Sequence, residues 1–267
     1  MPTVTSKDGT KIAFDKVGVG PVVILVDGAG VSRATHPFMA QLAELLGNYF
    51  TVYHYDRRGR GDSGDTLPFV KEREIEDLQA LIEDAGGRAM IFGISSGGVV
   101  TLDATAVTPG VTKVVVYEPA LIVDDSRQPV APDYAEHLMQ LSIGGKRDEA
   151  AEYFLLQAVG IPAEYIGGIK QDQANWSGLT SVAHTLAYDA AFVGNVMQGK
   201  PLPTDRWANV SVPVLVVDGG ASDAWMHHSA DALANVLPHA SRQTLAGQTH
   251  DVDPKLLAPL IIEFFKS

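Results

Sequence analysis

The chain has 267 residues, 46% of them hydrophobic and 19% charged, with 20 Lys and Arg against 32 Asp and Glu for a formal charge of −12. That length fits one large domain or one domain with an insertion, and the composition is that of a folded chain. An acidic balance without a basic block argues against nucleic acid and anionic membrane as partners, and the lack of cysteine removes disulfides, thiolate metal sites and cysteine nucleophiles.

The N-terminus, Met-Pro-Thr-Val-Thr-Ser-Lys-Asp-Gly, has no charged stretch followed by an apolar one, so no signal peptide is read there. Thr3–Thr5 and Lys11–Asp15, joined by Asp8-Gly9, predict an opening hairpin. Strands are then predicted at Pro21–Val26, Phe50–Tyr55, Arg88–Phe92, Lys113–Tyr117, Val214–Val217 and Ser241–Leu245. Several are almost wholly apolar, as in a parallel sheet buried on both faces, and the longest runs are too short to span a bilayer. Between them, helices are predicted at Pro37–Leu46, Glu72–Asp84, Ser96–Thr108, Ser229–Leu237 and Pro254–Phe265. This alternation implies βαβ units around a mostly parallel central sheet, an α/β fold. It lapses between about Glu118 and Asn209, where helical patterns stand at Tyr134–Ser142, Arg147–Val159 and Ser181–Val196. The expected division is a core of residues 1–123 and 207–267 with a helical cap at 124–206, in a soluble cytoplasmic monomer or homodimer.

Gly93-Ile94-Ser95-Ser96-Gly97 fits G-x-S-x-G and sits between a strand run and a helical run. A sharp strand-to-helix turn with small flanking residues exposes the central serine, and the helix N-terminus puts free N–H groups beside a developing oxyanion. Ser95 is therefore the candidate nucleophile, and the Ser96 N–H a candidate oxyanion donor. A serine needs a base. Of eight histidines, His250 follows the last predicted strand in Gly247-Gln248-Thr249-His250. His54 reads as a core residue and His184 as part of the insertion. His36, His137, His227, His228 and His239 read as surface residues.

The base in turn needs a carboxylate. Asp223, in the loop after Val214–Val217, is the first choice, Asp218 the second and Glu118 the third. The small loop Asp27-Gly28-Ala29-Gly30 offers the Ala29 N–H as second oxyanion donor; it lacks the third glycine of a dinucleotide fingerprint, and no P-loop lysine is present.

These residues resemble the α/β-hydrolase family across nearly the whole chain. The resemblance rests on Asp27–Gly30, on Asp56-Arg57-Arg58-Gly59-Arg60-Gly61-Asp62-Ser63, on the turn at Ser95, on Gly220–Asp223 and on Gly247–His250, with Ser95, Asp223 and His250 in the family's order. It implies a serine esterase or lactonase acting on a small-molecule substrate through an acyl-enzyme, with no cofactor or metal. It also makes the insertion a cap over the acyl pocket, with Trp176, His184 and Tyr188 as candidate pocket residues beside Tyr134 and Met139. Perhydrolysis, carbon–carbon bond hydrolysis, a tailoring step in secondary metabolism and a non-catalytic ligand-binding role are the alternatives on the same fold. One departure stands out: Asp27 occupies a position where the family often has histidine, and an inward carboxylate would repel the oxyanion.

Overall fold

The computed structural model describes residues 1–267. The elements run β1 (Thr3–Thr5), β2 (Lys11–Val17), β3 (Val22–Val26), α1 (Pro37–Leu46), β4 (Thr51–Tyr55), α2 (Glu72–Asp84), β5 (Ala89–Ile94), α3 (Ser96–Thr105) and β6 (Val111–Tyr117). After β6 come only helices: α4 (Tyr134–Ile143), α5 (Arg147–Phe154), α6 (Ala163–Gln171), α7 (Gln173–Val182) and α8 (Leu186–Val193). A π-helical turn, Leu155–Val159, continues α5, and a 3₁₀ turn precedes α8. The chain closes with β7 (Val214–Gly219), α9 (Ala224–Val236), β8 (Ala240–Leu245) and α10 (Pro254–Lys266).

The eight strands form one sheet in the order β1-β2-β4-β3-β5-β6-β7-β8, and only β2 runs against the others. Side chains alternate across a strand, so the apolar runs feed two cores. Val23, Leu25, Phe92, Val115 and Val217 pack under α1 and α10, while Ile24, Val26, Ile91, Val116 and Val216 face the other side, with α3, α8 and much of the inserted helical region. Pro37 opens α1, and Asp253 caps α10 by accepting from the Lys255 N–H at 2.8 Å. No helix is long and apolar enough to cross a membrane.

Two helical expectations need correction. α9 begins at Ala224, five residues before the predicted start, and α6 and all of α7 before Ser181 fall where no helix was predicted. Gly167, Gly168 and Gly178 weaken the local helix signal there, yet α7 is capped by Asp172, which accepts from the Asn175 N–H at 3.2 Å.

Candidate active site

Parallel strands end their C-terminal loops on one edge of the sheet, and the candidate residues collect there. β5 ends at Ile94, paired with Tyr117 of β6, so Ser95 and Glu118 leave their strands side by side. Both have positive φ, 55° and 39°, and they are the non-glycine residues that do. Ser95 forms the sharp turn before α3 with φ 55° and ψ −131°, its N–H held by the Tyr117 carbonyl at 3.0 Å. Gly97 is required by crowding: a Cβ there would lie 2.4 Å from the Asp27 carbonyl oxygen. The Asp27–Gly30 loop lies against the turn, since a Cβ on Gly28 would be 3.1 Å from Ser95 Cβ.

Ser95, Ser96, Ala29, Glu118, His250 and Asp223 all line one cavity of about 930 Å³. The carboxylate at the histidine is Glu118. Its Oε2 accepts from His250 Nδ1 at 2.9 Å, and its Oε1 accepts from the Gly219 N–H at 2.8 Å and from Ser222 Oγ. With Nδ1 donating, His250 Nε2 is the nitrogen left to receive a proton. The His250 loop is itself tied down: Tyr117 donates its hydroxyl to the Thr249 carbonyl at 2.6 Å, and the Ala221 N–H bonds the Gln248 carbonyl at 2.8 Å. No hydrogen bond joins Ser95 Oγ to His250, an arrangement that commonly tightens only in the substrate complex.

This corrects the expectation for the acid. Asp223 is exposed, precedes α9 as its N-cap residue and makes no ion pair with His250. Asp218 continues strand β7 and is fully buried, accepting from Arg242 Nη2 at 2.9 Å, from Thr244 Oγ1 at 2.8 Å and from His227 Nδ1. Glu118 differs because its left-handed backbone breaks the strand and turns the side chain along the sheet edge toward β8 and His250.

The predicted pocket aromatics also need correction. Trp176 is buried and donates its indole N–H to Asp148 Oδ1 at 2.8 Å. Tyr188 stacks on Phe69 at 3.8 Å and donates to Asp65 Oδ2 at 2.7 Å, and His184 packs edge-on against Tyr188. None of the three lines the cavity, and Met139 does not either; Tyr134 does, with Phe154, Val193, Met197 and Trp225. Helical spacing shows that an aromatic is inward, not whether it meets core or cavity.

His36, read as a surface residue, lines the cavity as well. Its Nδ1 donates to Asp27 Oδ1 at 2.6 Å, an oxygen that also accepts from the Gly28 N–H at 3.2 Å. Asp27 Oδ2 faces His54 Nε2 at 3.5 Å. Burial alone would raise the Asp27 pKa, but its hydrogen bond to His36 and the neighbouring His54 ring hold it well below the ordinary carboxylate range. Burial likewise opposes charge on His36, and Asp27 outweighs it, raising the imidazole above its usual value. Asp27 is thus tied to His36 beside His54, and it is not among the residues that line the cavity.

Behind the turn lies a fully buried ionic group. Asp189 of α8 accepts from Arg57 Nη1 at 2.5 Å, from Arg60 Nη2 at 2.5 Å and from Ser96 Oγ at 2.7 Å. Arg57 also grips Glu74 at 2.6 and 2.8 Å, and Arg60 Nη1 donates to the Gly28 carbonyl at 2.5 Å. The Gly28–Ala29 loop and Ser96, on either side of the Ser95 turn, are therefore fastened to the inserted helices through Asp189. No group of three or more His, Asp or Glu side chains is arranged to hold a metal ion.

Residues 23–259 match the profile of the family described as "Alpha/beta hydrolase family". The structure of an alpha/beta hydrolase from Sphaerobacter thermophilus DSM 20745 is 49% identical, with a TM-score of 0.88 over 99% of this chain and all of that one. An enol-lactonase from Burkholderia xenovorans LB400 superposes with a TM-score of 0.73 over the full length of both chains at 18% identity, a likeness of fold. An uncharacterized hydrolase, YraK, of Bacillus subtilis (strain 168) is 31% identical over 121 residues, 43% of each chain, so this chain spans less than half of that relative.

Proposed function

Because the chain belongs to the alpha/beta hydrolase family, we propose that it is a serine hydrolase cleaving a carboxylic ester or lactone of a small, partly apolar substrate. The observation that carries this reading is the 2.9 Å bond from His250 Nδ1 to Glu118 in the cavity that Ser95 lines. Ser95 Oγ adds to the acyl carbon as His250 Nε2 takes its proton, and Glu118 fixes the tautomer and stabilises the imidazolium. The Ala29 and Ser96 N–H groups receive the oxyanion, His250 returns the proton to the leaving oxygen, and a water repeats the sequence to free the acid. The inserted helices act as the cap over the acyl group. The enol-lactonase likeness is compatible with the bond type and does not choose the substrate.

The test is a fluorophosphonate probe, which phosphonylates activated serines. Labelling is expected on Ser95 in the wild type and is expected to vanish in Ser95→Ala and fall steeply in His250→Ala. An unlabelled wild type, or label retained in Ser95→Ala, removes the assignment.

A further inference from the structure

The cavity holds an arginine that the acyl-transfer scheme does not use. Arg127 lines it from the segment between β6 and α4. Its Nη2 donates to the Ala158 carbonyl at 2.6 Å and weakly to the Gln157 carbonyl at 3.4 Å, near the end of the π-helical turn. The guanidinium carbon lies 4.4 Å from the centre of the Trp225 ring. Gly160, with φ +83°, leaves room for it, since a Cβ there would come within 2.9 Å of Nη2. The head group is therefore cradled by an aromatic face, a carbonyl and a glycine, and little freedom is left to lose on binding.

The cradle leaves part of the fork unused. Arg127 Nε and Nη1 make no hydrogen bond with the protein and are not among the sealed polar atoms, and the residue lines the cavity. The buried Arg57, Arg58 and Arg60 each meet a carboxylate within ion-pair distance, and Arg127 meets none. Of the acidic residues lining the cavity, Glu118 is committed to His250 and Asp189 to Arg57 and Arg60; Asp223 and Asp251 are exposed, and Asp223 acts on Arg127 through space without forming an ion pair with it. Capping the π-helical turn needs only Nη2. A planar guanidinium with two donors free matches a carboxylate.

We propose that Arg127 is a subsite for a carboxylate on the part of the substrate remote from the scissile bond. The favoured substrates are then half-esters of dicarboxylic acids, or lactones bearing a free carboxylate. This assignment rests on the hydrolase reading above. Two chromogenic esters of matched length test it, 4-nitrophenyl hydrogen glutarate and 4-nitrophenyl hexanoate. Wild type is expected to show the lower KM for the glutarate half-ester. Arg127→Met should raise that KM on the order of ten- to a hundredfold, the worth of a charged hydrogen bond, and move the hexanoate KM about threefold or less, with kcat for hexanoate retained. Arg127→Lys should recover part of the loss. Equal losses on both esters would mean a merely structural arginine, and no preference in wild type would mean no subsite; either overturns the proposal. If neither ester turns over and the fluorophosphonate leaves Ser95 unlabelled, the ester reading fails, and calorimetry with glutarate then decides the subsite alone. Glutarate bound by wild type and not by Arg127→Met supports it, and any other pattern overturns it.

Discussion

Glu118 carries two features that an ordinary loop carboxylate would not need. Its backbone is left-handed, and its two oxygens are fully committed to Gly219, Ser222 and His250. Glu118→Gln keeps the shape and favours the wrong imidazole tautomer, so kcat for ester hydrolysis is expected to fall on the order of 10⁴-fold, as in another serine hydrolase system. Asp223→Asn, at an exposed position away from His250, should stay within about threefold of wild type. Steady-state kinetics on one neutral ester separates the two, and a crippled Asp223→Asn with an active Glu118→Gln would reverse the assignment. The Asp27–His36 pair makes a separate prediction. Asp27 is depressed in the folded state, so its contribution is present above the unfolded carboxylate range and lost as pH falls through the folded pKa. His36 is raised, so its contribution is complete below the unfolded value of about 6.5 and lost as pH rises through the folded one. The stability gap between wild type and His36→Gln is therefore widest between about pH 4 and 6.5 and narrows above that. A gap of about 1 kcal/mol would appear as roughly 2–4 °C in thermal midpoint at this chain length. A gap that grows above pH 7 would contradict the pairing.

Among the elements, α8 binds the inserted helices to the sheet edge that carries Ser95 and Gly28 through one side chain. Arg60 has Asp189 as its carboxylate partner, whereas Arg57 also has Glu74. Burial and the neighbouring Arg57 push the Arg60 guanidinium below its ordinary value, and Asp189 opposes them. Asp189→Asn would leave that charge buried without compensation, and a loss of about 3–5 kcal/mol is expected in urea unfolding. Ser96→Ala removes a single hydrogen bond to the same carboxylate and should cost about 1.5–3 kcal/mol. A smaller loss for Asp189→Asn than for Ser96→Ala would show that the ionic group is not what ties α8 down. The same elements show where the sequence is readable. α1 and α2 run over the predicted residues, 37–46 and 72–84, because proline at the start of one and a steady apolar period in the other mark them. The central strands are legible because both faces are buried. α6 and α7 were hidden by glycines whose local cost is met by packing and a cap. At the site, Ser95 and His250 are legible from motif and position. Glu118 stood third because no sequence pattern announces a left-handed glutamate at a strand end, and Arg127 and His36 gave no signal short of their place around the cavity.

Across the whole molecule, the candidate chemistry is gathered by topology. Ala29 follows β3, Ser95 follows β5, Glu118 follows β6 and His250 follows β8, all at one edge of a sheet filled on both faces. β5 and β6 are paired neighbours at the middle of that sheet, and each ends in a residue that would not choose its own backbone conformation. Such conformations cost of order 1–3 kcal/mol each and persist only where surrounding structure imposes them. On the hydrolase reading proposed above, durability and turnover are opposed at position 95. Ser95→Gly accepts the imposed angles freely, although its more flexible unfolded chain returns about 0.4–1 kcal/mol of that gain. It should unfold at higher urea than the equally inactive Ser95→Ala, by about 1 kcal/mol. A glycine variant no tougher than the alanine one would mean that the turn is relaxed. A tougher one would mark the nucleophile's turn as a place where selection for stability alone would favour an inert protein.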